Sequence, residues 1–381
     1  MARAVLLLLA AAVAVLLPDA AEPRILLTLD DFGAVGDGVA DDTKALAGAW
    51  AAACAAADSV VLNVPAGRTF RIWPLTLAGP CSSEIKLLIS GNIVAPESPG
   101  DWGSGERRQW LHFHKVQDLK VTGGGIIDGR GQQWWAREEK NRAAQPAPKA
   151  VHFEDCQGIS VKGITLQNSQ QYHLTFTRSS DVEANYLRVT SPEDSIDTKG
   201  IHLVDSKNVH VMDNLISTGD DCVSIVGNCT DVRLRAISCG PGHGISIGTL
   251  GVNGSVDYNG VGGFARKVKF ESIVMRNVTN PIIVDQGNSD DLADSSEAPT
   301  AAGREDQLHR HQGGVGVGAR GTCRTNVNLT RVDGRKTSPY CRKAFGKSIG
   351  TVIPESCLSK EDHIQHVPRH PEEGEEEDSD S

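Results

Sequence analysis

ISVKGITL (Ile159–Leu166), VEANYLRV (Val182–Val189), VHVMDNLI (Val209–Ile216) and VRLRAISC (Val232–Cys239) decide how this chain folds. Each is a short apolar alternation of strand character, and each follows a turn residue: Gly158, Asp181, Asn208 or Asp231. Those entries are 23, 27 and 23 residues apart, with no helical stretch between them. A repeat of that length built from strands alone predicts a solenoid. One coil cannot bury its inward face by itself, so coils stack and neighbours supply the core. The competing architecture, an antiparallel sandwich, predicts hairpin turns in place of a fixed coil period.

Working outward, Asp41-Asp42-Thr43 opens an alanine-rich stretch to Ala57 in which Leu46, Trp50 and Cys54 share one helical face. This predicts a short amphipathic helix capping the open first coil. Gly123-Gly124-Gly125 reads as a tight turn and not as a nucleotide loop, on the expectation that no helix follows it. The solenoid domain is expected over residues 22–286. Beyond it, residues 287–321 are polar and glycine-rich and read as a low-order insertion. Residues 322–365 read as a C-terminal segment packing on the solenoid, and residues 366–381 as an acidic disordered tail.

The chain has 381 residues and a net charge of −10, which argues against a nucleic-acid partner needing a basic stripe. Seven of the acids lie between Glu372 and Asp380, so much of that charge is terminal. At the other end, Arg3, the apolar run Ala4–Leu17 and the small residues after Pro18 have the order of a secretory signal, expected over residues 1–21. The run is too short to span a bilayer, and no membrane segment is expected elsewhere. Secretion permits disulfides. By spacing, Cys54/Cys81, Cys222/Cys239 and Cys341/Cys357 each enclose a short loop, and the odd total of nine cysteines leaves at least one thiol unpaired. No cysteine pair has CxxC spacing beside histidines, so no zinc site is expected. Glycosylation sequons stand at Asn228, Asn253, Asn277 and Asn328.

Three segments collect the reactive side chains: SIDTKGIHL (Ser195–Leu203), STGDDCVSI (Ser217–Ile225) and CGPGHGISIG (Cys239–Gly248). Their positions 199, 220/221 and 243 are about one coil apart, which stacks them on one face. A groove of carboxylates and a histidine suits glycoside hydrolysis. One carboxylic acid protonates the leaving oxygen while a carboxylate activates water. Two adjacent acids also repel, which raises one pKa and keeps a proton available.

With FGAVGDGVADDT (Phe32–Thr43), GGGIIDGRGQQWW (Gly123–Trp135), VTNPIIVDQ (Val278–Gln286) and YCRKAFGKSIGTVIPESC (Tyr340–Cys357), these segments resemble the plant polygalacturonases of glycoside hydrolase family 28. The resemblance implies a right-handed parallel β-helix that cleaves α-1,4-galacturonan with inversion, without metal or other cofactor. It implies Asp220 as the general acid, Asp221 as a water-holding carboxylate and His243 as the histidine tuning the acid. It also implies a Cys222–Cys239 bridge pinning the Asp220-Asp221 turn beside the His243 turn. The expected partner is pectin, that is homogalacturonan, met by a monomer secreted to the cell wall.

The chain departs from that family in places. The family's Asn-Thr-Asp-Gly is here Asp197-Thr198-Lys199-Gly200, so a lysine replaces one water-activating carboxylate. Asp197 lies two residues back, roughly 6–7 Å away along an extended strand. Lys199, Asp197 and Gly244 are the candidate substrate-binding positions, Lys199 through a substrate carboxylate. The family's Arg-Ile-Lys clamp is absent, and about one coil of sequence after Gly251 is missing; Arg266 and Lys267 align with the next strand instead. The alternatives are a galacturonan-binding homologue that has lost turnover, and a pectate lyase, which needs a calcium cluster and a basic arginine.

Overall fold

The computed structural model describes residues 24–102, 109–140, 147–248, 265–285, 319–329, 344–353 and 355. One coil shows how the chain winds. Leu174–Thr177 lies on a first face, Ser180–Asn185 on a second and Arg188–Thr190 on a third, before the chain returns to the first face at Ile201–Val204. Successive coils pair in parallel on all three faces, as in Leu174↔Ile201, Val182↔Val209 and Val189↔Ile216. Among the described residues, eight such strands form the first face, from Leu75–Ala78 to Val278–Asp285. The architecture is a right-handed parallel β-helix.

The turn residues that mark the repeat have a backbone reason. Gly158, Asp181, Asn208 and Asp231 have φ of 68°, 56°, 53° and 57°. Left-handed backbone crowds Cβ and is tolerated best by Gly, Asn and Asp. Each coil turns its corner there, so the sequence carries the corner on its face. The side chains then support one another across coils: Asp181 accepts from Gln157 Nε2 at 3.2 Å and from Asn208 Nδ2 at 2.7 Å.

Inside, equivalent positions stack. Phe113, Phe153 and Phe176 align in register, with ring centroids 4.7 and 5.2 Å apart, and Leu203, Ile225 and Ile247 continue the column. All are buried, and each side chain of this size contributes about 1.5–3 kcal/mol by leaving water. A second column, Cys156, Ser179, Ser206 and Cys229, runs along a corner. In it the last three accept the backbone N–H of the previous coil, Cys156 N to Ser179 Oγ, Ser179 N to Ser206 Oγ and Ser206 N to Cys229 Sγ, while Cys156 Sγ donates to the Phe113 and Glu154 carbonyls. This explains two buried cysteines that remain free thiols, Cys156 and Cys229.

The helix Thr43–Ala55 closes the first coils, burying Leu46, Trp50 and Ala53, while Trp50 Nε1 donates to Ala78 O at 3.0 Å. Asp41 accepts the Thr43 N–H at the helix start, and buried Asp42 turns back to accept Val35 and Gly36 N–H. Cys54 and Cys81 are bridged beside it. One expectation is corrected: a helix does follow the glycine turn, at Gln132–Lys140. Its apolar signal is confined to Trp134 and Trp135, which bury against Trp102 and the Ser169 carbonyl. The turn itself is a close-packing turn, since a Cβ on Gly123 would stand 2.3 Å from the Ile89 carbonyl.

Despite the short sequence after Gly251, the stack is unbroken: Gly242–Gly248 pairs directly with Val278–Asp285. Farther on, Ala319–Leu329 adds to the second and third faces and pairs with Ala344–Ile353. That strand begins inside the segment read from sequence as low-order, residues 287–321, of which 287–318 lie outside the described residues. So do the expected signal (1–21), the acidic tail (366–381) and the Cys341/Cys357 pair. Among the described residues no helix is long and apolar enough to cross a membrane.

Candidate active site

The reactive residues sit where the third face turns into the first. Three turns stack there: Ser191–Gly200 before Ile201–Val204, Thr218–Asp220 before Asp221–Val226, and Gly240–Pro241 before Gly242–Gly248. Backbone hydrogen bonds lace them together. Gly200 N donates to Asp221 O at 2.8 Å, His243 N to Asp220 O at 2.9 Å, and Thr218 N to Pro241 O at 3.0 Å. Gly219 N donates to Thr198 Oγ1 at 3.0 Å. The Cys222–Cys239 bridge ties the second and third turns, with Cα atoms 5.9 Å apart. Register also slips locally between Asp221 and Val223 and between Gly244 and Ile245. Such irregularities re-aim side chains, and here they occur at the acid pair and the histidine.

The result is compact. Ligand-type atoms of Asp220, Asp221 and His243 all lie within 4.8 Å of one another. His243 Nδ1 stands 3.3 Å from Asp220 Oδ1, which also accepts the Asp221 N–H at 2.6 Å. Ser246 Oγ donates to Asp221 Oδ2 at 2.6 Å, and Lys199 Nζ stands 3.6 Å from the same oxygen. Lys199 is nearly buried, at 4% side-chain exposure, whereas His243 is half exposed, at 52%.

Charge is unevenly shared. Burial works to raise Asp220, but the His243 hydrogen bond, the Lys199 ammonium and the Asp221 N–H outweigh it, and its carboxyl titrates below the ordinary value. Asp221 is raised, first by burial and then by the Asp220 charge, against the pull of Lys199. The hydrogen bond to Asp220 raises His243. The expected splitting of the acid pair is therefore present, but the raised member is Asp221, and the group beside Asp220 whose proton affinity is raised is His243.

Asp197 differs from its extended-strand expectation. Its φ is 53° and the Lys199 N–H donates to its carbonyl at 3.2 Å, so the chain folds back on itself. Burial pushes its carboxyl up to about 7, opposed by the 2.5 Å hydrogen bond from Gln171 Nε2 and reinforced by the Asp220 charge. Gly244 has φ 100°, and a Cβ there would stand 2.0 Å from Asn280 O, so its place in the site is fixed by backbone packing. Lys267 pairs with Asp231 at 3.2 Å on another face, in keeping with its assignment to a strand away from the groove. The residues that motif reading missed are Ser246, Gln171 and Tyr172, the last with Lys199 Nζ 5.6 Å from its ring centre. Their signal is register: each falls on or beside a first-face strand that touches the acid turns.

Of the sequons, Asn277 is exposed and bonds Glu193 at 3.1 Å, Asn228 is half-buried, and Asn253 lies outside the described residues, as does the side chain of Asn328. The trio offers two carboxylates with proton affinities pushed in opposite directions beside an imidazole. That combination suits acid/base cleavage of an acetal linkage.

Comparison with known proteins agrees. The family model for glycosyl hydrolases family 28 matches residues 54–302. A probable polygalacturonase of Arabidopsis thaliana is 36% identical over 375 aligned residues, covering 88% of this chain and 84% of that one. Among solved structures, the endo-xylogalacturonan hydrolase of Aspergillus tubingensis superposes with a TM-score of 0.62 at 20% identity, over 80% of this chain and 74% of that one. The polygalacturonase of Erwinia carotovora superposes at 0.56 with 18% identity, over 83% and 88%. The two superpositions speak for the fold; the family match and the plant relative speak for descent, and by them this chain is a glycoside hydrolase belonging to glycosyl hydrolases family 28.

Proposed function

We propose that this protein is a secreted polygalacturonase that hydrolyses α-1,4-galacturonosyl linkages of pectin by an inverting acid/base mechanism, at a rate lowered by Lys199. The observation that carries the reading is the Asp220–Asp221–His243 cluster at the edge of the first face. His243 Nδ1 stands 3.3 Å from Asp220 Oδ1, and that contact raises its affinity for a proton. When a sugar displaces water, the charged pair is desolvated and the proton passes to Asp220, which donates it to the leaving glycosidic oxygen. Asp221, ionised, takes a proton from the attacking water. Its raised carboxyl sets the acidic limb of activity: below that pKa the base is protonated and turnover falls.

Lys199 replaces a second base and holds the remaining one. At 3.6 Å from Asp221 its ammonium favours the carboxylate, which lowers its basicity and slows water activation. The same charge suits a uronate carboxylate, so binding is retained better than turnover. Disulfides at Cys54–Cys81 and Cys222–Cys239 support the extracellular, cell-wall assignment, because such bridges persist in oxidising compartments.

Product analysis on polygalacturonic acid tests the proposal. Release of new reducing ends, with inversion seen by proton NMR and no ultraviolet-absorbing unsaturated product, supports hydrolysis. A second reading, galacturonan binding without turnover, is favoured by the Lys199–Asp221 pair. It predicts retained affinity for polygalacturonate with no reducing ends formed.

A further inference from the structure

Well away from the acid pair, the outward row of the first face holds a second cluster. Register aligns Thr76, His112, His152, Thr175, His202, Ser224 and Ser246 on successive strands. Asp221 begins the third strand along from that of His152, so the acid pair shares this face, and its partner Ser246 lies four strands from His152. At about 4.8 Å per strand this is about 19 Å. His112 and His152 are direct register partners, and Glu154 lies two residues beyond His152, on the same side of its strand. Ligand-type atoms of His112, His152 and Glu154 all lie within 4.8 Å of one another.

The details suit a cation better than a purely structural cluster. His152 is buried, at 2% exposure, yet its Nδ1 has no hydrogen-bond partner. Its other nitrogen, Nε2, lies 2.9 Å from Thr177 Oγ1. With Nε2–H donating to that hydroxyl, Nδ1 is left as a bare lone pair in the interior. A ligating histidine has this arrangement, one nitrogen anchored to a neighbour and the other presented to the ion. His112 repeats the pattern: Nδ1 lies 3.4 Å from Thr76 Oγ1, and Nε2 lies 3.0 Å from Glu154 Oε2. Two ligands of a tetrahedral ion with bonds of about 2.1 Å stand about 3.4 Å apart, so this edge is already near ligand spacing. The far oxygen of Glu154 is held by Arg178 at 2.6 Å, which fixes the carboxylate and leaves Oε2 toward the histidines.

We propose that His112, His152 and Glu154 form a binding site for a divalent transition-metal ion of the zinc type, with water in the fourth position. Two imidazoles and a carboxylate match the ligand preference of such ions and not that of calcium or magnesium, which take oxygen. The site is separate from the acid pair and independent of the hydrolytic reading.

The experiment is a calorimetric titration of chelator-treated full-length protein with zinc chloride, with cobalt(II) absorbance as a spectroscopic probe. One equivalent of zinc is expected, together with a visible cobalt band of tetrahedral intensity. Saturating zinc is expected to raise the thermal midpoint by about 4 °C. Glu154→Gln and His112→Gln are expected to weaken binding more than about tenfold, and His152→Ala to abolish it. Asp220→Asn is expected to bind like wild type. The glutamine variants keep the packing volume, so they report on the site even if His152→Ala does not fold. Absence of saturable binding, binding unchanged in Glu154→Gln and His112→Gln, or loss of binding in Asp220→Asn would each overturn the proposal.

Discussion

Phe113, Phe153, Phe176, Leu203, Ile225 and Ile247 point inward from the same strands whose preceding residues, His112, His152, Thr175, His202, Ser224 and Ser246, point outward. The inward column is uniform: apolar, buried and stacked from coil to coil. The outward row changes character along its length, with imidazoles and a carboxylate at one end and the acid pair's hydroxyl partner at the other. Because side chains alternate across a strand, the two rows answer to different demands. Inward positions set stability through continuous packing, while outward positions can be replaced one at a time without breaking the stack. Lys199 illustrates this. It stands one residue before Gly200, whose N–H donates to the Asp221 carbonyl, and changes the chemistry of the groove while the strands that follow remain paired.

Perturbing each row should separate these roles. The largest effect is expected from Asp220→Asn, which removes the proton donor. Activity on polygalacturonate should fall about 10²–10⁴-fold, while the denaturant midpoint stays close to wild type. A variant with unchanged turnover would remove the acid from this groove. On the inward row, Phe153→Ala should destabilise the fold by about 3–5 kcal/mol, read by urea unfolding, because rings lie on both sides of it. If its stability were unaltered, the stacked column would not be a source of cohesion.

Asp197 bears on both rows, since it is a half-buried carboxyl in the groove. Its native pKa of about 7 is raised above its unfolded value, so the folded state holds a proton that the unfolded state releases. Its contribution is complete below about pH 4 and is lost as pH rises toward 7. The fold should therefore lose stability across that window. Asp197→Asn should abolish the loss and make the variant more stable at pH 7 by about 2–4 kcal/mol, measured as melting temperature against pH. Parallel curves for the two proteins would count against a protonated Asp197. The smallest effect is expected from Lys199→Asp. It should raise turnover about tenfold, most clearly beside Asp197→Asn, which restores Asn-Thr-Asp-Gly and relieves the crowding of carboxylates. No gain in the double variant would place the limit elsewhere in the groove.

Much of the fold is legible because its corners need special backbone. At Gly158, Asp181, Asn208 and Asp231 the chain takes positive φ, and the residue types announce it. The coil period then aligns positions 199, 220/221 and 243, so the acid cluster follows from the sequence. The histidine–glutamate cluster does not. His112 and His152 are 40 residues apart, and the helix Gln132–Lys140 intervenes, so no regular step connects them. The helix itself was missed because nine residues with two apolar tryptophans give little periodic signal. Likewise, Arg178 and Lys120, which pair with Glu154 and Glu84 across coils, show nothing in the sequence to name their partners.

The sequence by itself determined the winding of the chain and its membership of a hydrolase family, because corner residues and apolar alternation are local demands repeated every coil. The tertiary structure alone decided which acid of the pair has its proton affinity raised, how far Asp197 is displaced from charge, and which distant imidazoles meet. Those outcomes depend on burial and on the distances between coils, and neither is a property of any residue until the neighbouring coil is in place.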